Sequence, residues 1–243
     1  VVIATGASPR KLGFKGEKEF TGRGVAYCAT CDGEFFTDLD VFVIGAGFAA
    51  AEEAIFLTKY AKKVTVIARE PEFTCAKSIA EKVLKNPKIE IKFNPEILEA
   101  DGETQLKRAV FKNNVTNEIF EYNAPDEKTF GIFVFVGYEA QSRLFEGHVA
   151  LDNYGYVPTD SDLMTNIPGV YAVGDVRPKK LKQVVTAVAD GADAAMNIEK
   201  YVLGIREKLG LKKEKNREVK KSQEVSEKNG EFLDSSLKEQ LGA

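Results

Sequence analysis

The sequence is poor in the residues that bind metals and cross-link secreted proteins. Its 243 residues include no Trp, one His and three Cys. Such a small number of Cys does not make a secreted disulfide framework, and it suits the reducing cytoplasm. Zinc prefers four ligands, usually two Cys or His pairs. Beyond one Cys pair the chain offers only the isolated Cys75 and His148, so we predict no metal site.

The sequence also lacks a long apolar run and a strong charge excess. No stretch approaches the roughly 20 apolar residues of a membrane span. The 34 basic and 37 acidic residues give a net charge of -3. This balance argues against a protein that binds nucleic acid or a membrane surface. The first seven residues read as a buried strand and its turn, without Met, which predicts that the sequence is a fragment of a longer chain.

One Cys pair stands out in a glycine-rich stretch. Cys28 and Cys31 are three residues apart, close enough for a disulfide, and Asp32 follows directly. Thiol–disulfide exchange needs a thiolate and a protonated leaving group, and Asp32 can handle that proton if its pKa is raised. A helix that begins near Cys28 would lower the pKa of its thiol. Redox chemistry is favoured, while half a zinc site and a pair of inert buried thiols stay as alternatives.

A glycine-rich turn follows about ten residues later. An apolar strand at 40–45 runs into a Gly-x-Gly-x-x-Ala turn, then a helix at 48–60 and a second strand at 64–68. In such a unit the glycines allow a tight turn and a close approach of a pyrophosphate, and the small third residue lets helix and strand pack. The predicted dinucleotide-binding residues are Gly45, Ala46, Gly47 and Ala50. Of Glu52 and Glu53, one is expected to face solvent and the other to reach a nicotinamide.

The remaining elements complete an α/β pattern. We predict a helix at 76–86, an antiparallel meander, a buried strand at 131–137 and a long helix at 182–203. The meander would contain four segments, at 89–93, 97–100, 107–111 and 118–122. Residues 206–231 are too charged to form a compact unit and are predicted to be a solvated linker or a lone helix. Residues 232–243 turn amphipathic and are predicted to begin a further domain.

This constellation resembles low-molecular-weight thioredoxin reductases. The resemblance covers nearly all of residues 1–204. It is carried by Ala4-Thr5-Gly6-Ala7, Cys28-Ala29-Thr30-Cys31-Asp32-Gly33, the Gly45-to-Ala50 turn with Glu52-Glu53, Gly169-Val170-Tyr171-Ala172-Val173-Gly174-Asp175 and Lys182-Gln183-Val184. It implies two Rossmann-like domains, with an NAD(P)H domain at 10–137 inserted into an FAD domain formed by 1–9 and 138–205.

The resemblance also implies roles for individual residues. Cys31 would face the flavin, Cys28 would exchange with thioredoxin, and Asp32 would be the acid. Asp175 would bond the ribityl chain of FAD. The remaining residues that the resemblance assigns to the cofactors are Thr5, Gly6, Gly174, Lys182, Gln183, Val184, Glu53 and Arg69. It further implies a homodimer whose partner is thioredoxin, a glutaredoxin-like or other thioredoxin-fold protein, or a fused domain.

Two departures from the family pattern affect the cofactors. The N-terminal glycine-rich FAD fingerprint is missing, so we expect weak or no FAD binding by this chain alone. The family's arginine run, which holds the 2′-phosphate of NADPH, is reduced here to Arg69 followed by Glu70. An acid at the end of the second strand would suit NADH, but Ala68 occupies that place. We therefore expect weak nucleotide binding, with a modest or lost preference for NADPH.

The tail carries a second, shorter resemblance. Residues 232–241 resemble the opening helix of the thioredoxin-fold module of alkyl hydroperoxide reductase flavoproteins.

Taken together, these features predict that the protein is an FAD-dependent NAD(P)H:disulfide oxidoreductase. One alternative is a flavin-linked thioredoxin reductase fed by ferredoxin or NADH. Another is a non-catalytic nucleotide-binding fragment.

Overall fold

The computed structural model of the chain describes residues 1–125 and 128–211. The described part is α/β, as predicted. The expected further domain at 232–243 and most of the expected linker lie outside the described residues. The beginning of that segment is described, and its residues 206–208 belong to the last helix.

A five-stranded sheet lies at the centre of the larger part of the chain, which consists of the described residues between 10 and 137. Its strands are β3 (Val25–Ala26), β4 (Asp40–Ile44), β5 (Lys63–Ala68), β6 (Ile89–Phe93) and β10 (Gly131–Val134). All neighbouring strands are parallel, in the order β3-β10-β4-β5-β6. Three helices belong to this part: α1 (Ala29–Asp32), α2 (Phe48–Leu57) and α3 (Lys77–Leu84).

Both faces of this sheet are covered, which explains why β4 is apolar at almost every position. Successive side chains of a strand point to opposite faces. Val41 and Val43 pack in the cluster that contains the helix α2 alanines. Phe42 and Ile44 pack in the opposite cluster, where Phe42 meets Phe111 at 5.1 Å between ring centroids. The sheet is therefore held between helices and a second sheet.

The second sheet is a three-stranded antiparallel meander. It consists of β7 (Pro95–Gly102), β8 (Leu106–Asn113) and β9 (Ile119–Asn123). The prediction that residues 89–93 join this meander is wrong. They form β6, which pairs in parallel with β5 at the edge of the five-stranded sheet. The Ile-Glu-Ile-Lys-Phe alternation indicated a half-buried strand, and an edge strand of a parallel sheet has that pattern too.

The smaller part of the chain consists of residues 1–9 and 138–211, the two ends of the described chain. Strands β1 (Val2–Ile3) and β12 (Tyr171–Ala172) pair in parallel. Strands β2 (Ala7–Pro9) and β11 (Tyr138–Ala140) pair antiparallel where the chain enters and leaves the larger part. Helix α4 (Val184–Lys208) follows and ends before Gly210, whose positive φ of 66° is typical of a helix terminus.

None of the helices in the described ranges is long and apolar enough to cross a bilayer.

Candidate functional site

Cys28 and Cys31 form a disulfide at the start of helix α1, with Cα atoms 5.3 Å apart. Cys28 is the N-cap residue and has an extended backbone, with φ of -141°. The backbone N–H of Cys31 donates to Cys28 Sγ at 3.2 Å. Cys28 is half-buried and Cys31 is exposed. The single helical turn thus brings the two cysteines close enough to form a disulfide bond. Because Cys31 is exposed, a thiol of another protein can reach this bond.

Asp32 lies at the end of this turn, where its N–H donates to the Cys28 carbonyl at 3.1 Å. Its carboxyl group is partly buried, and this burial raises its pKa above the usual value for aspartate. A carboxyl group with a raised pKa keeps its proton to a higher pH. Asp32 is therefore suited to store a proton beside the dithiol, which is the condition for its predicted role as the acid.

The glycine-rich turn borders an open cleft of about 520 Å³. Gly45 has a φ of 139°, and a Cβ atom there would lie 2.5 Å from the Phe135 carbonyl oxygen, so only glycine fits. Gly47 is the N-cap of α2, and a Cβ atom there would meet nothing closer than the Thr74 hydroxyl, at 4.0 Å. Ala50 is fully buried against the strand. The turn thus leaves the helix N-terminus open to a phosphate.

Arg69 and Glu70 line the same cleft, directly after β5. Arg69 Nη2 lies 3.5 Å from Glu70 Oε1, and the Arg69 side chain is 69% exposed. The Thr74 hydroxyl, also at the cleft, donates to the Ala46 carbonyl at 3.3 Å and ties the next loop to the glycine turn. The charged side chains that line the cleft are therefore one guanidinium, that of Arg69, and two carboxylates, those of Glu70 and Glu96.

The two turns of the smaller part are brought together, as predicted. Pairing of β1 with β12 continues in a hydrogen bond from the Val173 N–H to the Ile3 carbonyl, at 2.9 Å. Thr5 and Gly6 follow the first strand, and Gly174 and Asp175 follow the second. Their adjacency joins segments that are about 170 residues apart in the chain.

Asp175 has a buried carboxylate oxygen, Oδ1, without a hydrogen-bond partner among the described residues. A buried polar atom without a partner carries a free-energy cost, so it indicates a place for a ligand group that can donate. The Lys182 ammonium group donates to the Asp175 carbonyl at 3.3 Å. Burial lowers the pKa of Lys182, and the nearby Asp175 opposes this shift. Lys182 therefore supports the turn that carries the free oxygen.

Glu53 provides a second such oxygen. Its Oε2 is buried and has no partner within the described chain, while Glu52 is exposed. Burial, then the neighbouring charge of Glu52, raises the pKa of Glu53. Tyr138 lies nearby, and its pKa is raised by burial and then by the charges of Glu53 and Asp175. The Tyr138 hydroxyl donates to the Tyr27 carbonyl at 3.2 Å and so joins the two parts of the chain, a contact that no motif in the sequence indicated.

The Gln183 side chain belongs to the smaller part and contacts residues of the larger part. Its Nε2 lies 3.8 Å from Cys28 Sγ and 3.3 Å from Thr30 Oγ1. The neighbouring Val184 begins helix α4 and is 80% exposed. Within the expected Lys182-Gln183-Val184 run, Gln183 is the residue whose side chain contacts the dithiol, whereas the Lys182 ammonium group donates to the Asp175 and Arg177 carbonyls.

The residues left over as zinc candidates are scattered. Cys75 is a half-buried free thiol that packs against the helix-side core, and His148 is exposed. In residues 1–125 and 128–211, no group of three or more His, Cys, Asp and Glu side chains could hold a metal ion.

Comparison with known proteins agrees with this arrangement. The family model for pyridine nucleotide-disulphide oxidoreductases matches residues 1–191. The chain is 56% identical over 203 residues to a thioredoxin reductase of Peptoclostridium litorale, covering 83% of this chain and 64% of the relative. It is 54% identical, over the same number of residues and the same shares, to a thioredoxin reductase of Peptoclostridium acidaminophilum.

Solved structures give the same result. The thioredoxin reductase of Streptococcus pyogenes superposes with a TM-score of 0.77 at 38% identity, covering 84% of this chain and 65% of that one. The thioredoxin reductase of Giardia duodenalis superposes with a TM-score of 0.75 at 33% identity, covering 83% and 65%. The chain thus spans slightly less than two thirds of the length of these relatives. With the matched family model, the disulfide and the glycine-rich cleft, the chain belongs to the pyridine nucleotide-disulphide oxidoreductase family.

Proposed function

We propose that the protein acts in the reduction of a protein disulfide by NAD(P)H, in the manner of a thioredoxin reductase. The observation that carries this proposal is the Cys28–Cys31 disulfide, held in the same part of the chain as the glycine-rich cleft. The similarity to several thioredoxin reductases supports the same reaction. The electron acceptor would be thioredoxin, a glutaredoxin-like or other thioredoxin-fold protein, or a fused domain.

The junction between the two parts suits FAD. Asp175 Oδ1, which has no hydrogen-bond partner within the described part of the chain, lies on the turn that follows β12 and would accept a hydrogen bond from a ribityl hydroxyl group. Thr5, Gly6, Gly174, Lys182, Gln183 and Val184 are the other residues that we assign to this cofactor. When bound, FAD supplies the two-electron chemistry that links a hydride donor to a disulfide. The chain's own residues hold the cofactor and manage the thiols and the proton.

The thiol steps follow from the dithiol geometry. After two-electron reduction the Cys28 thiolate attacks the acceptor disulfide, forms a mixed disulfide and releases one acceptor thiolate. The Cys31 thiolate then attacks Cys28 Sγ, which restores the internal disulfide and releases the second acceptor thiolate. Asp32 gives up the proton that a departing thiolate takes. Cys28, Cys31 and Asp32 are therefore the catalytic residues that we propose.

The nucleotide would lie on Gly45, Ala46, Gly47 and Ala50, with Glu53 toward the nicotinamide and Arg69 toward the ribose. A 2′-phosphate is best held by bidentate guanidinium groups. Here Arg69 is exposed and lies beside Glu70, which would repel the phosphate. We propose weak nucleotide binding, with a modest or absent preference for NADPH over NADH.

Titration of the protein with each nucleotide tests this choice. We expect the two dissociation constants to differ by less than about tenfold, or roughly 1.4 kcal/mol. Glu70→Gln should improve NADPH binding and leave NADH binding nearly unchanged. A preference for NADPH of about 100-fold or more would show that other residues hold the phosphate.

Turnover tests the reaction itself. The protein is supplied with FAD, NADPH or NADH and oxidised thioredoxin, and nucleotide oxidation is followed. We expect oxidation that depends on thioredoxin and disappears in Cys31→Ser. A Cys31→Ser variant that reduced thioredoxin at the normal rate would overturn the proposal. Turnover with reduced ferredoxin alone would favour the ferredoxin-fed alternative, and nucleotide binding without turnover would favour a non-catalytic module.

We also propose the cytoplasm as the setting and a homodimer as the assembly. The low number of Cys suits a reducing compartment, and the dimer is what the likeness to low-molecular-weight thioredoxin reductases implies. Sedimentation velocity of the 243-residue chain tests the assembly, with a single monomeric species as the contrary result.

A further inference from the structure

Gln183 contacts the dithiol from the other part of the chain. It lies immediately before helix α4, 155 residues away from Cys28 in sequence. Its Nε2 lies 3.8 Å from Cys28 Sγ and 3.3 Å from Thr30 Oγ1. A disulfide sulfur has no proton, so the amide group must be the donor in the first contact.

Two further donors face the same sulfur. The Thr30 hydroxyl lies 3.3 Å from Cys28 Sγ, and the Cys31 N–H lies 3.2 Å from it. Three donors from three residues thus converge on one sulfur. Hydrogen bonds to the charged form of a titratable group stabilise that form. After reduction, this arrangement favours negative charge on Cys28.

We infer that Gln183 is a positioning residue for the dithiol, whose amide group stabilises the Cys28 thiolate while the two parts of the chain are in contact. The inference deepens the proposed function, since it identifies Cys28 as the thiol that is ready to attack. It also couples reactivity to the arrangement of the two parts. Separating them would withdraw one of the three donors from the sulfur.

Other charged groups surround the dithiol and have to be held constant. Asp32 lies on α1 itself, and Glu52 and Glu53 lie on α2, which packs against α1. Lys182 precedes Gln183, but its ammonium group donates to the carbonyls of Asp175 and Arg177. Substitutions at Gln183 leave these charged groups in the chain. Gln183 is also the N-cap residue of α4, so circular dichroism of each variant has to show that the helix is retained before its midpoint is compared.

The test measures the pH dependence of iodoacetamide alkylation at Cys28. The background is the full chain with Cys31→Ser and Cys75→Ser, reduced with dithiothreitol and desalted, so that Cys28 is the single thiol. Gln183→Leu should raise the alkylation midpoint by about 0.5 to 1 pH unit, because a hydrogen bond to a charged group is worth roughly one unit. Gln183→Glu should raise it at least as far, since a carboxylate repels the thiolate.

Gln141→Leu is the matched control, because the Gln141 amide group donates to the Glu139 carbonyl away from the dithiol. Its midpoint should equal that of the background. If Gln183→Leu fails to fold, Gln183→Met, which also lacks a donor and has a similar length, replaces it, because the shift in Gln183→Glu includes the repulsion by the new charge. Midpoints that are unchanged in a folded Gln183 variant would overturn the inference. The assay needs no nucleotide, flavin or thioredoxin, so a failure of the proposed function would not alter its outcome.

Discussion

At the scale of single residues, Asp32 gives the sharpest test of acid chemistry. Its raised pKa means that it holds a proton at a pH where an exposed aspartate is ionised. We expect Asp32→Asn to slow the reduction of oxidised thioredoxin by the chemically reduced protein by about 100-fold, a common size for a lost general acid. Single-turnover rates measure this effect.

The pH dependence adds a second prediction for the same residue. In the original protein the exchange rate should decline as the pH rises through the elevated pKa of Asp32, because the proton is lost. The Asn variant should lack that decline. Because the folded state binds this proton more tightly than the unfolded state, ionising Asp32 costs stability. Asp32→Asn should therefore be slightly more stable than the original at neutral pH and lose this advantage in acid.

Glu17 supports the chain where it enters the larger part. Its buried carboxylate accepts hydrogen bonds from the Leu12 N–H at 3.1 Å, the Gly13 N–H at 2.6 Å and the Tyr27 hydroxyl at 2.9 Å. Glu17→Ala leaves three donors without a partner and should reduce the free energy of unfolding by about 3 kcal/mol. Glu17→Gln retains an acceptor and should cost less than half as much. Urea denaturation measures both, and equal losses would contradict this role.

The same contact predicts behaviour in alkali. Burial, then the hydrogen bond to Glu17, raises the pKa of Tyr27 well above its usual value. The folded state therefore keeps this proton after the unfolded state has lost it, so stability falls as the pH rises above the ordinary tyrosine pKa of 10.0. Tyr27→Phe should lose less stability than the original protein over that pH range.

At the scale of elements, two glycines of the glycine-rich turn are expected to have different roles. Gly45 is needed for folding, whereas Gly47 is needed only for nucleotide binding. Gly45→Ala would place a Cβ 2.5 Å from the Phe135 carbonyl at a φ of 139°. It should cost about 2 kcal/mol of stability and abolish nucleotide binding. Gly47→Ala meets no atom closer than 4.0 Å. It should fold normally and weaken nucleotide binding about tenfold. Thermal unfolding and nucleotide titration of both variants check this, and equal stability would contradict it.

The sequence predicted most elements from local patterns. The apolar run of β4, the alanine-rich helix α2 and the glycine turn between them depend on neighbours in the chain. The structure has them where expected, except that α2 ends at Leu57 and not at residue 60. The partner of β6 could not be predicted, because its alternating pattern is the same in a meander and at a sheet edge. The end of α4 was placed too early, since the pattern weakened before Gly210 ended the helix.

At the scale of the whole molecule, the family and the two-part α/β architecture followed from motifs that are far apart in the chain. Pairing of β1 with β12 was expected, because the resemblance placed both turns in one domain. The contact between Gln183 and Cys28 and the charges around Tyr138 were not. They depend on how the two parts meet, which composition and spacing do not encode.

The proposed function requires above all that Cys28 and Cys31 form a redox dithiol that exchanges with a thioredoxin-fold protein. Trapping the mixed disulfide tests this claim without any cofactor. The thioredoxin used should have its second active-site cysteine replaced by Ser and its remaining cysteine activated as a thionitrobenzoate disulfide, so that no thiol of its own can reverse the exchange. Cys31→Ser should then displace thionitrobenzoate and form a stable adduct through Cys28, seen by mass spectrometry, and Cys28→Ser should form far less. Equal adducts from both variants, or an adduct through Cys75 instead, would contradict the proposed exchange.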